Sequence, residues 1–211
     1  MGIKDKYYIK EISHKQAIEI VVKNHYLHRK APCSYTFGLF DYSSNAIVGV
    51  IIYGIPASRS LQKGICGSEE CNNVIELTRL WIDDSVGKNA ESFLIGNTIP
   101  LIKKEILVSY AQDDMGHVGY VYQATNWIYT GLSDKHIQWR IEGISGHSRH
   151  LFDSYGGINN AKEFLGDKLI KEERPRKHRY IYFNCNKKRK KELLSKLKYK
   201  IQNYPKKHSK I

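Results

Sequence analysis

In SHKQAIEIVVKNHY the apolar positions Ile18, Val21 and Val22, with Tyr26 beyond, recur at the spacing of one helical face. Ser13 followed by Gln16 is a capping-box spacing, which satisfies orphan N–H groups of a first turn, so the pattern predicts a helix over 14–26. SYTFGLFDYSSNAIVGVIIYG gives two β-rich runs around SSN and predicts a hairpin. NVIELTRLWID alternates imperfectly through Ile75, Leu77 and Leu80, the pattern of a strand buried on one face and functional on the other. After the loop DSVGKN, Asn89 is placed to cap a helix through Phe93, Leu94, Ile99, Leu101 and Ile102 to about residue 105, with Pro100 as a kink or early end. ILVSYAQ predicts a short buried strand and HVGYVYQATNWIYTGL a helix ending by Gly131. Two further strands are predicted in HIQWRIEG and HRYIYFNC, with a short helical piece near 159–165 between them. The expected fold is α/β (α+β): a mixed antiparallel and parallel sheet flanked by helices.

Charge changes the picture at one end of the chain. Of the net +13, residues 171–211 carry 16 Lys and Arg against 3 acidic residues, while 1–170 balance at 18 of each. The expected organisation is a catalytic domain over 1–170 and a basic C-terminal strand and helix or tail over 171–211 that completes it and contacts nucleic acid. Each phosphate that a cation neutralises releases a condensed counterion. The candidate contacts are Arg174, Arg176, Lys177, Arg179, Lys187, Lys188, Arg189, Lys190 and Lys191. Leu193, Leu194 and Leu197 among these cations would also suit a membrane surface or a partner helix; the interleaved Tyr199 and Tyr204 suit a DNA backbone better.

Other classes are set aside. No apolar run approaches the roughly 18 residues of a membrane span, and MGIKDKYYIK lacks the apolar stretch of a signal peptide, so a soluble intracellular protein without a membrane partner is expected. Cys33, Cys66, Cys71 and Cys185 are scattered, and CGSEEC lacks the two-residue spacing of most zinc hooks; buried or idle thiols are expected. Oligomeric state leaves no mark on the sequence.

Two features carry chemistry by residue type alone. A strand, the loop DSVGKN and a helix start present free backbone N–H groups suited to an anion, with Val86, Gly87, Lys88, Asn89 and Ser92 as the donor-binding candidates. Arg79 sits inside a strand, where an unpaired guanidinium is costly; it is either paired with a carboxylate such as Glu76 or aimed at an anionic donor or phosphate.

The order ELTRLWI, VGKNAES, ILVSYA, VYQATNWIYTGL resembles the GNAT acyltransferase superfamily. More specifically, NHYLHRKAPCSYTFGLF, ELTRLWIDD, KNAESFLIG, ILVSYAQ, GHVGYVYQATNWIYTG, KHRYIYF and KKRKKELLSKLKY together resemble the phage Mom family of DNA-modifying proteins, over about Asn24 to Tyr204. The resemblance implies a GNAT-like transferase that converts adenine in double-stranded phage DNA to a carbamoylmethylated adenine. The product hides sites from host restriction in the bacterial cytoplasm. It implies acyl-CoA or another glycine-derived acyl donor. A general N-acyltransferase using acyl-CoA on a protein, RNA or small amine is the alternative.

The resemblance also assigns roles. A target base must leave the stack and lie on aromatic surfaces, expected from Tyr26, Tyr110 and Trp81 or Trp127. His25 suits the removal of the amine proton. Ser109 and Tyr110 end the strand where GNAT-like sheets splay to admit the donor. Tyr122 resembles the tyrosine that protonates the departing group, with Asn126 four residues on along the same helix. His25, His28, Asp113 and His117 are the expected ligands of an iron ion implied by the family.

Overall fold

The computed structural model describes residues 2–112, 117–143, 152 and 154–206. A single helical turn, α1 (Ile3–Lys6), leads into strand β1 (Tyr7–Glu11); both are too short to show a period. Ser13 caps α2 (His14–Asn24) as expected, its hydroxyl accepting from the Gln16 N–H over 3.2 Å. The helix ends short of Tyr26 because His25 is extended, at φ −78° and ψ 137°. The hairpin is β2 (Tyr35–Asp41) and β3 (Ile47–Gly54), followed antiparallel by β4 (Val74–Ile82). Helix α3 (Arg59–Cys66), capped by Ser58, lies between β3 and β4 and is not among the predicted elements.

Helix α4 (Ala90–Thr98) returns the chain so that β5 (Ile106–Gln112) runs parallel to β4, as a crossover allows. It passes into a 3-10 turn at Ile99–Leu101, before the expected end near 105, because Pro100 lacks the N–H that an α ladder needs. The expected helix up to Gly131 is corrected more deeply. Helix α5 is only Tyr120–Ala124, left-handed Asn126 (φ 60°) turns the chain, and β6 (Ile128–Leu132) follows. Aromatic and β-branched residues in IYTGL favour the strand over the helix that their spacing also allowed. Strand β7 (His136–Ile141), helix α6 (Ile158–Leu165) and strand β9 (Lys177–Phe183) are as predicted; β8 (Leu169–Arg174), charged at most positions, shows no alternation and was not.

The main sheet has seven strands in the order β1-β2-β3-β4-β5-β9-β6, and β7-β8 form a separate two-stranded arm. The expected mixed sheet flanked by helices is therefore found. Alternate residues feed opposite faces: Ile51, Tyr53 and Leu107 join the core under α4, Val50 and Ile52 the core under α2, and Ile106 and Val108 the core under α3.

The basic C-terminal stretch is folded into this body. Strand β9 is inserted between β5 and β6, and α7 (Lys187–Lys196) buries Leu193 against Ile65 and Cys66. Arg189 of α7 binds Glu70 (2.6 Å), Glu105 (2.9 Å) and Glu192 (2.6 Å), and these carboxylates hold its guanidinium pKa up. The arm has its own small core of Ile141, Phe152, Ala161 and Leu169.

Candidate active site

Strands β4 and β5 are joined by only three residue pairs, Val74 with Ile106, Ile75 with Leu107, and Glu76 with Val108. Beyond that point the strands part. Thr78 is an extra residue against β3, where the register passes from Ile52–Arg79 to Tyr53–Leu77, and such a bulge re-aims the side chains around it. The parted strands form one wall of a cleft of about 540 Å³, lined among others by His25, Tyr26, Glu76, Arg79, Tyr110 and Tyr122.

At its root, Ser109 takes the place of the missing ladder. Its hydroxyl lies 3.0 Å from the Leu77 carbonyl oxygen and 2.8 Å from the Tyr122 hydroxyl. With one proton to give, Ser109 donates to the carbonyl and accepts from Tyr122. Burial pushes the Tyr122 pKa up to about 12, so it carries a proton. Gly119 precedes α5 in left-handed backbone (φ +75°), and a Cβ there would come within 2.5 Å of the Tyr180 ring and 3.0 Å of Tyr122. Only glycine leaves Tyr122 in place.

Glu76, weighed from sequence only as a partner for Arg79, proves to be a cleft residue in its own right. Burial raises its carboxyl above the ordinary range, against the pull of Lys177 and Arg79. Arg79 is not ion-paired to it. Its guanidinium donates to the carbonyls of Thr78 (2.6 Å) and, at longer range, Lys30 (3.3 Å), while its Nε is buried without a partner among the described residues. Tyr110 faces Arg179 across the β5–β9 pairing and bonds to it, and burial raises its pKa well above the tyrosine range.

His25 lies 8% exposed with its ring stacked on Tyr26, centroids 4.4 Å apart. Burial, then Arg79, His28 and Arg29, lowers its pKa to about 4. The Leu27 N–H donates to its Nδ1 over 3.1 Å, which places the proton of the neutral ring on Nε2. In that form Nδ1 is occupied and Nε2 carries an N–H to donate, which differs from the free lone pair expected of a base. His117 also lines the cleft, and His28 is turned to the Val22 carbonyl (3.1 Å). Asp113 lies outside the described residues. Among the described residues no group of three or more His, Cys, Asp or Glu could hold a metal ion, so the iron site finds no support.

Other expected members are elsewhere. Asn126 is not on the Tyr122 helix face; with Asn89, Ser92, Phe93 and Gly96 it lines a second pocket, of about 500 Å³. Trp81 packs under α2 and Trp127 is wholly buried, so tyrosines supply the aromatic surface of the cleft. In the donor loop, Val86 closes a 3-10 turn, Gly87 (φ +84°) stands clear of other atoms, and Asn89 is left-handed without capping α4 by its side chain. Ser92 donates to the Asn89 carbonyl (3.0 Å). Lys88 and the uncapped N–H groups of α4 suit the anionic part of a donor; Asp84 and Glu91 flank the same groove, and Asp83 is turned to Ser85.

The nucleic-acid candidates divide. Arg179 points inward, to Thr130 (3.0 Å) and over the Tyr199 ring (3.4 Å), and Arg189 is held by carboxylates. Both guanidinium groups are engaged in internal bonds, which sets them apart from the expected phosphate contacts. Arg176 donates to the Ser133 carbonyl (2.7 Å). Lys187, Lys188, Lys190 and Lys191 stand on α7, while Arg174 and Lys177 border the cleft mouth.

The profile of the Mom protein family matches residues 6–206. Methylcarbamoylase Mom of Escherichia phage Mu is 28% identical over 204 residues, covering 94% of this chain and 83% of that protein. Among solved structures, ribosomal-protein-S5-alanine acetyltransferase from Vibrio fischeri is similar at 12% identity and a TM-score of 0.49, over 86% of this chain and 94% of that one. Spermidine/spermine N-acetyltransferase SpeG from Vibrio cholerae, in complex with manganese ions, is similar at 9% identity and a TM-score of 0.48, over 87% and 95%.

Proposed function

The chain belongs to the Mom protein family, and on that premise we propose that it modifies DNA, adding a carbamoylmethyl-type group to the exocyclic amine of adenine. One observation carries the chemistry: where β4 and β5 part, a carboxylate of raised pKa, a protonated buried tyrosine and a half-buried guanidinium share one cleft with aromatic walls. A cleft of that size accepts a base and a small group together.

An adenine taken out of the stack rests on Tyr26 and Tyr110. His25 offers Nε2–H to an acceptor atom of the base. As the bond from the amine nitrogen to the transferred carbon forms, Glu76 takes the amine proton, a role its raised pKa favours at neutral pH. The bond between that carbon and the donor breaks, and Tyr122, its O–H turned from Ser109 to the departing atom, supplies a proton there. Solvent restores both groups. The donor, acyl-CoA or another glycine-derived species, supplies the activated carbon; Gly87, Lys88 and the start of α4 would hold its anionic end and Arg79 the end nearest the amine. No step passes through iron.

The modification would protect DNA because adenine's exocyclic amine is a donor read in the major groove, and a bulky substituent there removes the pattern an endonuclease recognises. Protection from restriction is thus the expected role in a phage-bearing bacterium. Mass spectrometry of nucleosides from cells expressing the protein tests the proposal: a heavier deoxyadenosine is expected, absent with Glu76→Gln. Unmodified adenine alongside abundant folded protein would overturn it, and modified protein or RNA instead would favour the general acyltransferase.

A further inference from the structure

After α7 the chain continues as a strap, residues 197–205, which runs without helix or strand from α3 past the β6 edge of the sheet to α5. Lys198 N–H donates to the Ile65 carbonyl of α3 (2.9 Å), and Gln202 N–H to the Tyr129 carbonyl of β6 (3.0 Å). The Tyr204 hydroxyl donates to the Trp127 carbonyl (2.7 Å), and the Gln123 amide of α5 to the Pro205 carbonyl (3.3 Å). Covering an edge strand accounts for the far end of the strap. Its middle does something else: the Tyr199 ring is laid on the Arg179 guanidinium, whose carbon lies 3.4 Å from the ring centroid.

Arg179 is 8% exposed, and among the described residues no carboxylate pairs with it. Its donors go to neutral acceptors. Nε donates to the Thr130 hydroxyl (3.0 Å) and Nη2 to the Thr130 carbonyl (3.3 Å). A further bond goes to the hydroxyl of Tyr110, directly opposite across the β5–β9 pairing. Next along this face of β9, Ile181 packs with Val108 in an apolar core, where an uncharged side chain would fill space without the dehydration of a cation. What a guanidinium adds is a planar fork of fixed direction, and a ring against its face holds that plane.

The fork decides where Tyr110 points its proton. A guanidinium only donates, so the tyrosine oxygen accepts from Arg179 and its own O–H is left to be given elsewhere. Among the described residues no acceptor takes it, and Tyr110 lines the active cleft with Glu76 and Leu77. We propose that Arg179 is a positioning residue for Tyr110: backed by the Tyr199 ring, it fixes the Tyr110 hydroxyl as a hydrogen-bond donor facing the cleft. The acceptor that fits is the carbonyl oxygen of the transferred group. The Tyr110 ring lies against the base, and its hydroxyl reaches past the base edge to where that group is joined. This choice of acceptor rests on the proposed function; the tie from Tyr199 through Arg179 to Tyr110 rests on the contacts.

Two measurements on the full-length protein separate the tie from the reaction. In protein labelled with fluorotyrosine, the fluorine NMR resonance lost in Tyr110→Phe belongs to Tyr110. It is expected to shift in Arg179→Lys, which keeps the charge and loses the fork, and in Tyr199→Leu, and to stay in place in Tyr199→Phe, which keeps the ring. An unmoved resonance in Arg179→Lys and Tyr199→Leu, with their melting curves intact, would overturn the tie. The role toward substrate is read from initial rates of modified adenine in a double-mutant cycle. Tyr110→Phe should lower kcat by roughly tenfold, the scale of one hydrogen bond, with KM for DNA little changed. Tyr199→Leu should lower kcat several-fold in the wild type and cost nothing further in Tyr110→Phe, because it acts through the hydroxyl already removed. A merely structural Tyr199 would make the two losses multiply; that outcome, or wild-type rates in Tyr110→Phe, would overturn the donor role. Resonances that move as expected in a protein that leaves adenine unmodified would keep the tie and sink the proposed reaction, and with it the choice of acceptor.

Discussion

The Leu27 backbone N–H donates to Nδ1 of His25 over 3.1 Å, and this bond decides what the histidine can do. A ring that accepts at Nδ1 and stays neutral down to about pH 4 offers Nε2–H to the cleft and no second lone pair. His25→Gln, which keeps an N–H donor, is expected to retain more modification activity than His25→Ala, by roughly tenfold, the scale of one hydrogen bond. Equal losses in the two variants, in initial rates of modified adenine, would restore the histidine to the role of base.

The same ring shapes acid stability. Its folded pKa, about 4, lies below the ordinary 6.5, so the unfolded chain takes up the proton first as pH falls. The contribution is neutral above pH 6.5, and between 6.5 and 4 stability falls by at most about 1.4 kcal/mol per pH unit. Urea unfolding across that window should show a shallower fall in His25→Gln. Identical slopes would refute the assignment.

Glu76→Gln is expected to cut turnover by about 10²–10⁴, the usual share of a general base. The raised pKa makes charge the unfavourable form of this buried side chain, so the amide should not lower the melting temperature near neutrality. Wild-type rates should climb with pH through a pKa above the ordinary Glu value of 4.5, and the variant should lack that limb.

Tyr122→Phe keeps the ring and removes the acid. Turnover should drop while DNA affinity holds, because the hydroxyl meets Ser109 at the root of the cleft and not the rim. Gly119→Ala forces a Cβ against Tyr180 and Tyr122 in left-handed backbone, and should cost both activity and about 1–3 kcal/mol of stability. Wild-type melting in Gly119→Ala would show that the turn gives way freely.

Arg189→Met removes the guanidinium that joins α7 to Glu70 and Glu105. Glu70, 6% exposed, then keeps Lys196 as its ion-pair partner among the described residues. Leaving a buried carboxylate half-satisfied costs about 1–3 kcal/mol, or several degrees of melting temperature for a chain of this size. DNA binding at low temperature should be unaffected, which calorimetry and anisotropy on one preparation would check.

Much of the frame was legible in local patterns: Ser13 before a periodic run, two β-rich segments around SSN, and the apolar strand ILVSYAQ. The failures have physical causes. Aromatic and β-branched residues after Ala124 satisfy a helical period, but left-handed Asn126 ends the helix and hands them to β6. Glu76 shows no chemistry in sequence because its raised pKa comes from burial, a product of the tertiary fold. His25 was legible as a site residue, but its role depends on a hydrogen bond two residues away. A sum of charges could not separate Arg179 and Arg189, which are turned inward, from Arg174, which is exposed.

Strand β9, made late, is inserted between β5 and β6, which were made long before it. On the ribosome, β1 to β4 can pair in the order they emerge, but β5 has only three pairs to β4 and β6 has no neighbour in the sheet until β9 arrives. A nascent chain that stops before Lys177 therefore holds Glu76, Arg79, Ser109 and Tyr122 and still lacks the wall that sets them around a substrate. The cleft waits for β9, whose Tyr180 ring packs on Tyr122 and whose Lys177 joins its lining.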